Sequence, residues 1–461
     1  AQAGAEVKAQ PRPAEMLGFA AARAAASLRQ VPARAPVLRN VGGVRCTDVV
    51  AIAMRQRSAM AAPTLASPTF SNGSVTVQSL LARLRSCFAL AEGGMVKPGY
   101  ETAVGTWLVG TSGMLVSMIA IGGYTRLSGS GLSMTDWRIQ GRRLPQSEDA
   151  WRKEFEEYKL YPEYKCLHAG SMELEEFKRI YFVEWFHRMW GRTAGALFAL
   201  PLGYFVARRA LRPLFALRLT GLLALGVSQA FVGWWMVRSG LEAPERHTPM
   251  QGAGQRPRVS PYRLASHWTA ALTLYVGCVW SALSLLRPGP ASLHGSREAI
   301  TAACRLRRAA VPVVGILLLT LLSGPFVAGN DAGHAYNTWP KMLDDWVPPE
   351  WLAAVSAPWS TWRAFFESTA VVQFDHRCLA YCSTLSTLAL YAYSTCLPVS
   401  PAAAIVVRLL PMAVAAQMCL GIATLLLYVP IELGVAHQAG GVAVLTTLLV
   451  LLHTLRVPVL P

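Results

Sequence analysis

The feature that most constrains this chain is a series of apolar runs separated by polar loops. Each run is about 20 residues long, enough to cross the hydrocarbon core of a bilayer as a helix. Lipid offers the backbone no hydrogen-bond partner, so each run must close its own bonds as a helix. Eight candidate spans are read at roughly 104–124, 181–206, 214–237, 264–286, 309–329, 367–395, 403–428 and 433–455. Composition agrees: 53% of the residues are hydrophobic and 15% are charged, against about 25% charged in soluble domains. The expected fold class is an all-α polytopic membrane protein with eight transmembrane helices.

The net charge of +17 is explained by topology rather than by nucleic acid. No basic patch interleaved with aromatics marks a nucleic-acid surface. The arginines instead gather in alternate loops, as the positive-inside rule expects. Arg208, Arg209, Arg212 and Arg218 lie between spans two and three, and Arg287, Arg297, Arg305, Arg307 and Arg308 between four and five. Both loops fall on the side of the basic N-terminus. Two long loops, Arg126 to Lys178 and Gly329 to Trp362, fall opposite. The first contains a short amphipathic helix from Glu148 to Tyr158; the second is rich in Trp and Pro, as suits a membrane-surface cap.

Residues 1–98 read differently. Arg12, Arg23, Arg29, Arg34, Arg39, Arg45, Arg55 and Arg57 face only Glu6, Glu15 and Asp48 before residue 60. Arg-rich, Ser-bearing and acid-poor composition suits an organelle transit segment, and equally a disordered tail. The nine cysteines form no CxxC pair and no CxxCH, which argues against covalent c-type haem and a zinc ribbon. Cys378 and Cys382 share a helix face and are read as small packing residues.

The spans divide into two similar halves, 99–290 and 291–461, expected to be two pseudo-symmetric four-helix bundles. Span two opens with Glu184, Trp185, Phe186, His187 and Arg188; span six opens with Gln373, Phe374, Asp375, His376 and Arg377. Spans four and eight open with His267 and His437. Each half thus carries two histidines at similar depth, on helices running in the same direction. Ionisable groups at membrane depth are costly and usually functional. Two facing imidazoles in a four-helix bundle suit a planar metal macrocycle; a polar helix–helix contact is the structural alternative. Zinc lacks a third and fourth ligand near either pair. Arg188 and Arg377 present planar forks suited to haem propionates, or snorkel to the interface. Glu184 lies three residues before His187, on the same helix face, and its counterpart is Gln373. That asymmetry points to chemistry in one half and electron transfer in the other. His168, His247, His294, His334 and His453 have no matched partner and receive no role.

These residues resemble the haem A synthase family, mitochondrial COX15 and bacterial CtaA. The resemblance rests on Gly122–Trp137 (GGYTRLSGSGLSMTDW), Glu184–Arg192 (EWFHRMWGR), Pro261–His267 (PYRLASH), Ala328–Gly333 with Tyr336–Met342, Gln373–Arg377 (QFDHR) and Leu433–Gly440 (LGVAHQAG). It runs from about residue 100 to the end, with the motifs in family order. It implies substrate haem O between His187 and His267, with Glu184 as the catalytic acidic residue. It implies a haem b cofactor between His376 and His437. It implies oxidation of a haem O ring methyl to a formyl group by successive hydroxylations, giving haem A for cytochrome c oxidase. A bacterial branch carries a cysteine pair in the first long loop; here that loop has Cys166 alone, so no disulfide forms within it. Asn330 and His334 depart from the usual motif and are given no role. The implied location is the mitochondrial inner membrane, with the N-terminus in the matrix and the long loops in the intermembrane space, or the inner membrane of a bacterium. Expected partners are the bilayer, haem O and an unidentified electron acceptor, with a haem O synthase, oxidase assembly factors and a second copy of the chain left open. Two other classes stay in view: a bis-histidine b-type electron carrier and a haem-delivery factor without catalysis.

Overall fold

A computed structural model describes residues 94–241, 257–287, 296–358 and 361–456. The transit-like segment up to residue 93, and the loop histidines His247 and His294, lie outside the described residues. Eight long helices are found among the described residues: α1 Glu101–Leu127, α2 Leu174–Ala207, α3 Pro213–Leu241, α4 Pro261–Leu286, α5 Arg297–Gly329, α6 Thr369–Thr395, α7 Pro401–Leu426 and α8 Ile431–Thr454. They fall at the eight expected places. Six are long and apolar enough to cross a membrane; the two that fall short are α2 and α6. These are the two helices that carry the Glu184–Arg188 and Gln373–Arg377 clusters, whose polar side chains lower the hydropathy of an otherwise span-length helix.

Local chemistry sets the helix ends. Pro261 and Pro401 open α4 and α7, where the missing N–H costs no helical bond. Ser296 and Ser400 accept from the backbone N–H groups of Ala299 and Ala403, satisfying donors that the first turn leaves orphaned. α2 begins two turns earlier than its apolar run, because a capping box between Glu173 and Glu176 starts it in the polar loop. Large apolar side chains such as Leu200, Leu217, Leu385 and Met412 face outward, as membrane-spanning helices require.

Packing repeats at an interval of four helices. α1 packs on α2 and α4, and α3 on α2 and α4; α5 packs on α6 and α8, and α7 on α6 and α8. Between the halves, α4 meets α5 as α8 meets α1. Leu272, Tyr275, Leu306, Leu410, Leu445 and Leu448 form the central apolar cluster, crossed by a Tyr275–Thr446 hydroxyl contact of 2.6 Å. An ion cluster also joins the halves. Arg126 at the end of α1 and Arg258 before α4 both bind Asp331, at 3.0 and 2.8 Å. They also donate to the carbonyls of Ala328 and Asn330, which fixes the end of α5.

The first long loop folds as a cap. Its amphipathic helix spans Glu148–Lys159, with Ser147 accepting from the Ala150 N–H. Phe155 and Tyr158 stack on Phe177, at 5.0 and 5.2 Å between ring centroids. Cys166 is a free thiol there.

Candidate haem-binding site

In the first half α2 brings Glu184, His187 and Arg188 inward, and α4 brings His267. Glu184 is buried, with 3% of its surface exposed. One carboxylate oxygen accepts from Arg188 Nε at 2.6 Å; the other lies 3.9 Å from His187 Nδ1. Arg188 is held in turn by the loop, donating to the carbonyls of Asp136 and Met134 at 2.7 Å each. Trp185 and Arg192 donate to the carbonyls of Arg142, Ile139 and Arg138. The loop from Met134 to Arg142 is therefore stitched along α2, over the carboxylate. His187 on α2 and His267 on α4 lie near one another. The Nδ1 atoms of both are buried and have no hydrogen-bond partner.

In the second half His376 on α6 and His437 on α8 face each other, with ring centroids 6.4 Å apart and planes at 83°. Two imidazoles each about 2 Å from one metal ion would place their centroids roughly 6 Å apart. Both rings are held from behind. Ser323 Oγ lies 2.6 Å from His376 Nδ1. Gln417 Nε2 lies 3.0 Å from His437 Nδ1 and donates to the His437 carbonyl at 2.9 Å. Both contacts fall on Nδ1, which leaves Nε2 of each ring clear of them. Neither Ser323 nor Gln417 was legible from sequence, because each sits on a helix with no histidine motif of its own.

The residue three before each α2 or α6 histidine is wired alike. Arg377 Nη2 donates to Gln373 Oε1 at 3.1 Å, as Arg188 donates to Glu184. The Gln373 amide then donates to the Ala332 carbonyl at 2.7 Å, a bond that a carboxylate cannot make. The forks of Arg188 and Arg377 are both engaged with protein atoms. Arg377 donates to the carbonyls of Tyr336 and Lys341.

Glycines face all four histidines. A Cβ built on Gly122 of α1 would sit 3.2 Å from His187 Nε2, and one on Gly233 of α3 3.4 Å from His267. Their counterparts are Gly324 of α5, 3.9 Å from His376, and Gly421 of α7, 2.8 Å from His437. The odd-numbered helices thus leave a slot beside each imidazole. Among the described residues no group of three or more His, Cys, Asp or Glu side chains converges as a metal cluster. A metal at either histidine pair would take its remaining donors from a macrocycle. The paired imidazoles, the orphaned nitrogens and the glycine slots fit haem.

Asn330 has a structural place. Its side chain donates to the carbonyls of Phe326 and Phe366, tying the second long loop to the end of α5. Cys378 lies in an outer groove with Trp339, Trp346, Phe374 and Tyr381, on the face of α6 away from His376. Glu163, in the first loop, is buried and accepts from the Tyr158 hydroxyl at 3.0 Å. Burial pushes its carboxyl up to about 7, with Glu184 adding to the rise and Arg126 opposing it.

A family model described as cytochrome oxidase assembly protein, COX15-CtaA, matches residues 105–449. The chain belongs to the COX15-CtaA family. Three similar relatives are Heme A synthase COX15 of Arabidopsis thaliana, Heme A synthase COX15 of Bos taurus and Heme A synthase of Rhodospirillum centenum. The Arabidopsis protein is 45% identical over 78% of this chain and 76% of its own length. The bovine protein is 41% identical over 77% and 83%. The bacterial protein is 43% identical over 78% and 90%. The COX15-CtaA match takes in both histidine pairs and both long loops.

Proposed function

We propose that this chain is a haem A synthase, oxidising a ring methyl of haem O to the formyl group of haem A. The observation that carries this reading is the difference between two otherwise equivalent half-sites: a buried carboxylate, Glu184, stands beside His187, and an amide, Gln373, stands beside His376. The family and its relatives' names support the same reading.

The halves 99–290 and 291–461 then act as substrate and cofactor bundles. His187 and His267 hold haem O by its iron. His376 and His437 hold haem b, which supplies one-electron relay toward an acceptor outside this chain. The net change is methyl plus water to formyl, releasing four protons and four electrons. The water supplies the oxygen, and two successive hydroxylations followed by dehydration complete the step.

Glu184 takes protons from the attacking water or the methyl carbon. Arg188 orients the carboxylate and keeps one oxygen occupied, so the oxygen nearer His187 does the work. The loop over Arg188 shields this carboxylate from bulk water. Arg188 and Arg377 stand one residue from ligand histidines, and haem propionates are their proposed further partners. The location is the inner membrane, mitochondrial by the eukaryotic relatives, with the basic loops on the matrix side.

The test is a haem extract, resolved by chromatography and mass spectrometry, from a host that makes haem O but no haem A. Wild type should yield haem A and Glu184→Ala should not. Haem O and haem b alone in the wild type, with an electron acceptor supplied, would instead favour an electron carrier or a haem-delivery protein.

A further inference from the structure

At the end of the bundle opposite the long loops, three arginines from three helices converge. Arg287 follows α4, Arg307 lies in the second turn-pair of α5, and Arg456 follows α8. Arg456 donates to the Arg287 carbonyl at 3.3 Å and to Ser284 Oγ at 3.1 Å. Arg307 donates to the Leu452 carbonyl at 2.5 Å. Between them is His453, only 4% exposed, with Nε2 3.4 Å from Ser284 Oγ and its ring edge-on to Trp280 at 5.4 Å. All three arginines lie near His453. Arg456 also lies over the Trp280 ring at 5.8 Å.

No carboxylate among the described residues bridges to any of the three. Burial, and then the charge of Arg307, push Arg456 below its ordinary value. Arg307 and Arg456 repel one another, with Arg287 beside them at the helix end, and an anion is the group that would relieve them. Guanidinium forks match phosphate oxygens, and the Ser284 hydroxyl adds a further donor.

The surface beside the cluster narrows the choice of anion. Below Arg307, the same face of α5 continues as Val311, Leu318 and Leu322, all exposed. Gly315 lies among them, with open space where a side chain would stand. Leu286 is exposed next to Arg287. A cluster of arginines between helix ends, beside an apolar track about three turns long, is the form of an acidic-lipid site.

We propose that Arg287, Arg307 and Arg456, with Ser284, bind the phosphate of an acidic phospholipid whose acyl chain lies along Val311, Leu318 and Leu322. The shared chemistry is a phosphate anion, and the apolar track commits it to a lipid. This does not depend on the proposed reaction. The site stands at the junction of α4, α5 and α8, so a bound lipid also ties the two halves together on the basic side.

The full chain, purified with its haem, is placed in bilayer discs of phosphatidylcholine with or without phosphatidylglycerol, and retained lipid is counted by native mass spectrometry. Wild type should retain phosphatidylglycerol in preference to phosphatidylcholine. Replacing an arginine should weaken retention about fivefold each, and roughly a hundredfold for Arg287→Gln, Arg307→Gln and Arg456→Gln together. The single variant Arg287→Gln, at an exposed position, guards against a misfolded triple variant, and an unchanged haem spectrum checks both. No preference in the wild type, or equal retention by a folded triple variant, overturns the proposal. Full displacement of the lipid by millimolar inorganic phosphate would also overturn it, marking a site for free phosphate instead.

Discussion

The two halves share a helix plan and differ in how their histidines are held. In the second half, Ser323 and Gln417 stand behind His376 and His437. In the first, the corresponding nitrogens of His187 and His267 are buried without partners. Second contacts of this kind fix the orientation and basicity of a metal-bound imidazole. A resident cofactor gains from such pinning, whereas a substrate that must enter and leave gains from its absence. If the proposed assignment holds, the two histidine pairs differ in task, and the difference lies in the residues behind the rings.

The largest effect is expected from turning the first half into a copy of the second. Glu184→Gln keeps the Arg188 contact and removes the base. Haem A output should fall by about two orders of magnitude or more, with haem O and haem b still bound. Normal output would end the catalytic assignment and leave the asymmetry without a function. The converse exchange sharpens the point. Gln373→Glu would set a carboxylate against the Ala332 carbonyl that the amide now reaches at 2.7 Å. It should lower haem b occupancy and should not restore the activity of Glu184→Gln.

Next in size is the pinning itself. Ser323→Ala or Gln417→Leu should weaken haem b binding by roughly 10- to 100-fold, read from haem per protein after dilution and from the reduced spectrum. Among the described residues none plays this part in the first half, so the same loss of haem O is not expected from any described neighbour of His267. Equal weakening of both haems would break the comparison.

Much of this was legible in the sequence, for physical reasons. Span-length apolar runs announce helices, and all eight long helices lie where the runs are. The two histidine pairs and the Glu184–Gln373 contrast are visible because they recur at matched offsets. What escaped is whatever depends on contacts between distant segments. Ser323 and Gln417 look like ordinary polar residues in apolar helices until folding sets them behind a ring. The slot glycines are hidden for the same reason: Gly421 differs from any helix glycine only in facing His437. The early start of α2 was also missed, because its capping box lies outside the apolar run. The cluster around His453 needed three helix ends brought together. Its histidine has no matched partner, and reading by repeats passes it over.

The glycines give a smaller test. Gly421→Ala would bring a Cβ within 2.8 Å of His437, whereas at Gly324 the nearest ring atom is 3.9 Å away. The first change should displace the imidazole and shift the haem b spectrum; the second should be tolerated. If both were silent, the rings would be freer than their Nδ1 contacts require.

The smallest expected effect concerns Glu163, whose neighbour Glu184 has only an amide, Gln373, as its counterpart in the second half. Its carboxyl stands at about 7 instead of the ordinary value near 4.5, so the folded loop holds a proton that the unfolded chain releases. Between those two values the unfolded state binds fewer protons, and stability falls as pH rises. Below the lower value both states are protonated and the penalty is absent; above about 7 it is complete and constant. Limited proteolysis of the first loop between pH 5 and 8 reads this directly. Wild type should become more susceptible as pH rises toward 7 and then level off, and Glu163→Gln should stay flat and match the protected, low-pH behaviour. Because Glu184 contributes to the rise, Glu184→Gln should lower the pH at which the wild-type change is centred. An unmoved midpoint would show that the two acids do not sense each other, and that the chemistry of the first half rests on Glu184 without support from the loop.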